Sequence, residues 1–347
     1  MLRYLDSFDH LDTADLPEKG WSNTLNISVS GGGRFGSCMV IGASNAPTSN
    51  TQSFDSQQTW IVGAAVRPGT MGSTDQVAYF YLLDSNVVQV CVAQAFDGTG
   101  RIVAYRGDFA NQLGISSNNV LTEDVFQYVE MRVVISNTVG EFEVRVNGIT
   151  VIGPLTGLDT QVTANASANQ VRLGGYRSQG GSVAYDDLYI CDGVDSGVGG
   201  IPNDDFLGDI RVQALLPNGN GNSSQFDGSD GNSTDNYLLV DESTQDGDTT
   251  YVQSSTAAEK DTYAYGDLTP TSGTVYGVQL LPLARKTDAG VRDIINVARH
   301  SGTEEDGPDR QITTSYFYYP EIREAKPGGG SWSIADVNAA EFGFKVG

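Results

Sequence analysis

The sequence predicts an all-β protein made of two antiparallel β-sandwich domains. Three observations predict it. Apolar residues recur with a period of two rather than 3.6. Strand-like blocks follow one another at roughly 8–12-residue spacing, with turn residues between them. Gly occupies 42 of the 347 positions and Pro only 11, and Asn and Asp are frequent, so residues that tolerate positive φ are plentiful where tight turns need them.

The elements follow in order. In "TWIVGAAVRP" Trp60, Val62, Ala64 and Val66 share one face, and Pro68 ends the strand. "VAYFYLLDS" and "VVQVCVAQ" flank the turn Asp84-Ser85-Asn86, and "GTGRIVAYRGD" opens on a glycine turn. "QYVEMRVVIS" places Val129, Met131, Val133 and Ile135 on one side and Glu130 and Arg132 on the other. "EFEVRVNG" does the same with Phe142, Val144 and Val146 against Glu143, Arg145 and Asn147. Both read as half-buried antiparallel strands. Val139-Gly140 supplies the hairpin between them, and Asn147-Gly148 the next turn. The Gly-rich stretch 196–204 divides the chain into a domain over 1–195 and a second over 205–347. The second half gives further strands in "DIRVQALLP", "NYLLVDES", "DTYAYGDL", "DIINVARHSG" and "EFGFKV". Its one helical piece is "SIADVNAAE", with Ser333 as N-cap and Asp336 in the first turn.

The formal net charge is −23. Such a chain has no electrostatic means of holding nucleic acid or an anionic membrane. No run of 18 apolar residues predicts a membrane span, and "MLRYLDSFDHLD" has no secretory pattern. The sequons at Asn26, Asn165, Asn222 and Asn232 read as chance matches in an Asn/Ser-rich chain. Cys38, Cys91 and Cys191 each lie in a strand block, in no metal-like spacing, and read as small buried residues in a reducing compartment.

Residues 54–193 carry a recognisable pattern: "FQYVEMRVVIS…GEFEVRVNGITVI", then "VRLGG", then "YDDLYICD". This resembles the concanavalin A-like, laminin-G-like jelly roll, a fold that hosts lectins, hydrolases and structural modules alike. The resemblance implies a jelly roll for the first domain. It also implies that the pair Asp186-Asp187 starts the domain's final strand, accepting hydrogen bonds from turn amides. Strand alternation would send the two carboxylates to opposite faces. Residues 185–347, through "YDDLYICDG…NDDFLGDIRV…LLPNG" and "WSIADVNAAEFGFKV", are similar to structural proteins of tailed bacteriophages. That implies a virion component.

Candidate sites are few. The histidines are His10 and His300; no G-x-S-x-G elbow accompanies a Ser-His-Asp set around His300. Glu141 and Glu143 have the i, i+2 spacing of a glycosidase pair, but they alternate with core residues and read as solvent-facing. "FDGSDGNSTDN" offers oxygen ligands for a hard cation, with Asp227, Asp230, Asn232, Asp235 and, separately, Asp186 as Ca²⁺ candidates. No other cofactor is implied. "YFYYPEI" is an aromatic cluster in which Tyr316, Tyr318 and Tyr319 are contact or sugar-stacking candidates. The tripeptide at 106–108 and the triple glycines at 31–33 and 328–330 read as turns and loops.

These readings converge on a non-enzymatic structural protein on the exterior of a virion assembled in a host cytoplasm, as head decoration (cement) or tail-associated. Its partners would be other capsid or tail proteins and further copies of itself. The alternative is a tail adhesin that binds host glycans, and a third is a glycan-cleaving enzyme.

Overall fold

The computed structural model describes residues 1–22, 26–42, 49–72, 77–95, 97–109, 111–175 and 181–347. The chain divides into two compact units. One contains Met1–Asp195 together with Asn203–Val212; the other contains Ser196–Pro202 and Gln213–Gly347. Both are antiparallel β-structures, so the predicted all-β class holds.

Among the described residues the first unit has fourteen strands: β1 Leu2–Asp6, β2 Ile27–Gly31, β3 Ser37–Gly42, β4 Ser49–Gln57, β5 Thr59–Pro68, β6 Ala78–Asp84, β7 Val87–Gln94, β8 Ile102–Arg106, β9 Asn111–Ile115, β10 Gln127–Val134, β11 Gly140–Val146, β12 Ile149–Leu158, β13 Ala168–Gly174 and β14 Ser182–Cys191. One sheet runs β12-β11-β10-β5-β14-β3-β2, with β1 also paired to β14; the other runs β4-β13-β6-β7-β8-β9. The two face each other as a sandwich of the jelly-roll kind. The indole of Trp60 in the first sheet donates to the carbonyl of Ala168 in the second (3.1 Å), and the hydroxyl of Tyr185 donates to the carbonyl of Tyr79 (3.1 Å).

Register explains the core. Trp60, Val62 and Ala64 lie opposite Val133, Met131 and Val129, which lie opposite Phe142, Val144 and Val146. All nine are buried, and the buried apolar surface supplies the main drive for folding. The turn Ser85-Asn86 has φ of 49° and 74°, and Asn147-Gly148 has 50° and 75°. These are the left-handed pairs that a two-residue hairpin demands. Cys38, Cys91 and Cys191 are buried thiols.

The second unit is built on one sheet whose strands lie in the order Pro217–Ser224, Lys260–Tyr265, Glu341–Val346, Asp293–His300, Thr303–Asp306, with Arg310–Gln311 paired to Asp293–His300. Three two-stranded ladders accompany it. The short helix Ile334–Asn338 has Ser333 as N-cap, as read from sequence; its hydroxyl accepts from the Asp336 amide, and the Asp336 carboxylate returns to the Ser333 amide. Trp332, Val337, Ala340 and Phe342 pack with Leu280 and Ala298 as its core.

Two strand readings are corrected, and one strand lies where none was read. "NYLLVDES" begins with a 3₁₀ turn, Asn236–Leu239, not a strand. Residues 209–216 of "DIRVQALLP" are not strand; four of them continue a segment packed on the first unit. The strand is the polar stretch Pro217–Ser224, PNGNGNSS, a sheet edge whose composition reads as loop. Its intrinsic preference is overridden by pairing with Lys260–Tyr265.

Candidate functional site

A dense group of buried ionisable side chains lies on the outer side of the first unit's large sheet, away from the sandwich core. On β10, Tyr128, Glu130 and Arg132 alternate with the core residues. On β14, Asp186, Asp187 and Tyr189 join them. Glu130, Asp186 and Asp187 have no exposed surface.

The placement of the Asp pair corrects two expectations. It lies in the middle of β14, not at its start. It also does not split between faces, because β14 bulges here. Asp186 pairs with Ala65 and Tyr189 with Gly63, so β14 carries one extra residue in this interval, and Asp187 takes φ of 50°. The bulge interrupts alternation, and both carboxylates reach the loop before β3. Asp186 Oδ2 accepts from the Phe35 amide (3.1 Å), and Asp187 Oδ2 pairs with Arg34 Nε (2.9 Å). The expected role as acceptors for loop amides is retained. Gly63 is required opposite: a Cβ there would run into the Tyr189 ring, which lies stacked on Tyr128 with centroids 6.4 Å apart.

Residues 203–212 cross this face as a strap. Its main chain is held by side chains of the sheet. The amide of Leu207 donates to the Tyr189 hydroxyl (3.1 Å), that of Gly208 to Glu130 Oε1 (2.9 Å) and that of Val212 to Asp187 Oδ1 (2.7 Å). The Ile210 carbonyl accepts from Arg34 Nη2 (2.7 Å), and Arg34 also pairs with Asp209. The Tyr189 hydroxyl donates to Glu130 Oε1 (2.5 Å). Arg145 lies over the Phe206 ring at 4.0 Å, and Leu207 and Ile210 are buried. Side-chain reception of main-chain groups is why sequence pattern alone did not reveal the strap: "NDDFLGDIRV" has neither strand nor helix period.

Burial sets the electrostatics. It raises the Asp186 carboxyl to about 7, with Asp187 adding to the shift, and raises Asp187 to about 6 against the pull of Arg34. Burial likewise raises Glu130, opposed by the Tyr189 and Gly208 hydrogen bonds. The part of the face left open is a shallow polar depression bordered by Arg132, Glu143, Asp204 and Asp205.

The other candidates lie apart. Glu141 pairs with Arg132 (2.7 Å), while Glu143 pairs with Arg145 (2.9 Å) and accepts from Thr150 (2.8 Å). His300 Nε2 faces both Asp336 Oδ1 (3.2 Å) and Ser301 Oγ (3.4 Å). A catalytic triad needs acid and nucleophile on opposite ring nitrogens, so this arrangement cannot relay a proton between them. Asp230 accepts from the amide and side chain of Asn232, and Asp235 from Asn220. Asp227 pairs through its backbone with Gln253. No group of three or more metal-ligating acids, histidines or cysteines forms among the described residues. Asp186 lies in the other unit from these four. The Tyr316 hydroxyl donates to Asp248 (2.7 Å), with Arg285 over its ring at 5.2 Å. Tyr318 is in a two-residue ladder with Leu283, and the Tyr319 hydroxyl accepts from the Thr313 amide (3.1 Å).

Sequence reasoning gave no role to Lys19, which lies in the interior beside Asp6 and His10. The one available signal was a lysine between apolar and aromatic residues in "DLPEKGW".

No family model and no curated protein matches this chain. Solved structures similar in part include a cellulose-induced protein (TM-score 0.42, 13% identity, 55% of this chain and 97% of that one). Another is a carbohydrate esterase from the Shiga toxin-encoding bacteriophage phi24B (0.38, 12%, 50% and 91%). A third is a Bacillus subtilis protein of unknown function with a galectin-like fold (0.37, 9%, 55% and 96%).

Proposed function

We propose that the protein is a non-enzymatic structural component on the exterior of a tailed-phage particle, a head decoration or tail-associated protein that acts by assembling with other virion proteins and with copies of itself. The observation that carries the non-enzymatic part is the strap. The carboxylates of Glu130, Asp186 and Asp187 receive amides of the chain itself and so lie closed to a substrate. The phage part rests on the likeness of residues 185–347 to tailed-phage structural proteins. A net charge of −23 suits a protein that must stay soluble at high copy number before assembly.

A second reading, recognition of host glycans, is favoured by the Tyr316–Asp248–Arg285 group, which puts an aromatic ring beside an acid and a cation near the surface. Aromatic faces with adjacent hydrogen-bonding groups suit sugar rings.

Mass spectrometry of gradient-purified particles, before and after brief protease treatment, separates the outcomes. Peptides of this chain present in intact particles and shaved away by protease are the expected result. Their absence from purified particles would overturn the virion assignment. Saturable glycan binding by the isolated chain, lost in Tyr316→Ala, would put the second reading first.

A further inference from the structure

The first unit contains a second buried polar group, where the end of β1 pairs with β14, that neither assembly nor glycan binding uses. Lys19 Nζ lies 2.9 Å from Asp6 Oδ2, and both side chains are wholly inaccessible. Asp6 ends β1. Its Oδ1 accepts from the Phe8 amide (2.9 Å), with Phe8 at φ of 59°. Its Oδ2 also accepts from the Tyr4 hydroxyl (2.9 Å) and, at the limit of hydrogen-bond length, the Trp21 indole (3.5 Å). His10 Nε2 lies 2.9 Å from the same Lys19 Nζ and is only half-buried. The walls are aromatic and apolar: Tyr4, Phe8, Leu16 and Trp21 are all buried.

An amine and a carboxyl held in contact, with donors on both carboxyl oxygens and a proton acceptor on the amine, are the parts of a condensation. We propose that Lys19 and Asp6 join in an intramolecular isopeptide bond, formed once the unit has folded.

The ion pair is the reactant. A proton crosses from Nζ to Oδ2, giving an amine and a carboxylic acid. The amine lone pair attacks Cγ, and the carbonyl electron pair moves to Oδ1, where the Phe8 amide holds it. The nitrogen sheds its next proton to His10, which hands it to the departing Oδ2 hydroxyl. The Cγ–Oδ2 bond breaks, water leaves, and Oδ1 remains as the amide oxygen. One ammonium and one carboxylate become one amide and one water, with no other reactant. Contact at this distance replaces a bimolecular encounter. The product also removes two charges that burial disfavours.

The environment supports this path. Burial lowers the Lys19 ammonium against the pull of Asp6. Burial and Lys19 push His10 down to about 3, so its ring is neutral, and Nε2 stands 2.9 Å from the Lys19 nitrogen. Burial raises Asp6 while Lys19 and His10 draw it lower, which makes the ion pair the starting state.

The test is the mass of the intact, denatured full-length chain. The expected value is one water below the mass of the sequence. Trypsin should then fail to cut after Lys19, yielding a peptide from Tyr4 to Arg34 that lacks one water and gives no backbone fragments between positions 6 and 19. Lys19→Met and Asp6→Ala should restore full mass, and His10→Gln should delay the loss. A wild-type chain of full mass, cleaved normally after Lys19, would overturn the proposal. So would a water loss that maps to an Asp-Gly step such as Asp97-Gly98.

Discussion

At Asp186 and Asp187 a pair that offers a Ca²⁺ candidate in sequence resolves into carboxylates that order a loop and receive a strap. Their titration is expected to be visible in stability. A carboxyl whose pKa is higher in the folded chain than in the unfolded one binds its proton more tightly when folded. Its contribution is present below the unfolded value, about 4, and is lost as pH rises through the folded one. With Asp187 at about 6 and Asp186 at about 7, the first unit should lose stability between about pH 4 and pH 7. Asp186→Asn cannot ionise, and it should flatten that slope by about 3 kcal/mol across the window. Urea midpoints at pH 5 and pH 8 measure it, and an unchanged slope would assign the dependence to other groups. Gly63 gives a second test at this scale. Gly63→Ala places a methyl group against the Tyr189 ring and should cost about 1–3 kcal/mol, read as a lower urea midpoint at constant m-value.

At the scale of elements, legibility followed the source of each element's stability. The strands β5, β10 and β11 were readable because one face of each is buried, and burial imposes a period of two. The hairpin at Asn147-Gly148 and the helix at Ser333 were readable because their geometry demands particular residues locally. The edge strand Pro217–Ser224 was not, since its partner Lys260–Tyr265 holds it and its own residues do not. The strap was not readable either. Its amides are received by Tyr189, Glu130 and Asp187, which lie well before it in the sequence and carry no mark of that role. Buried Leu207 anchors it. Leu207→Ala should loosen the strap, raising proteolysis within 203–212 and lowering the melting temperature of the sandwich with it; unchanged proteolysis would mean that Leu207 does not anchor it.

For the whole molecule, the division into units assigns residues 203–212 to the sandwich rather than to the C-terminal half. A fragment of residues 1–212 should therefore melt cooperatively. A fragment of residues 1–195 should bare Tyr128, Glu130 and Tyr189, and should melt lower or aggregate. Calorimetry of the two fragments compares them, and equal melting temperatures would mean the strap adds nothing to the unit's stability. The same division bears on function. Under the proposed function, a sheet face occupied by the chain's own residues is withheld from partners.

Native-state hydrogen exchange at the amides of Leu207, Gly208 and Val212 tests this closed face most directly. The account predicts exchange as slow as that of the strands beneath, Gln127–Val134 and Ser182–Cys191, because opening these bonds would uncover Glu130 and Asp187. Exchange at the rate of an unstructured peptide would show an open face bearing buried-type carboxylates. It would contradict the non-enzymatic reading at its foundation.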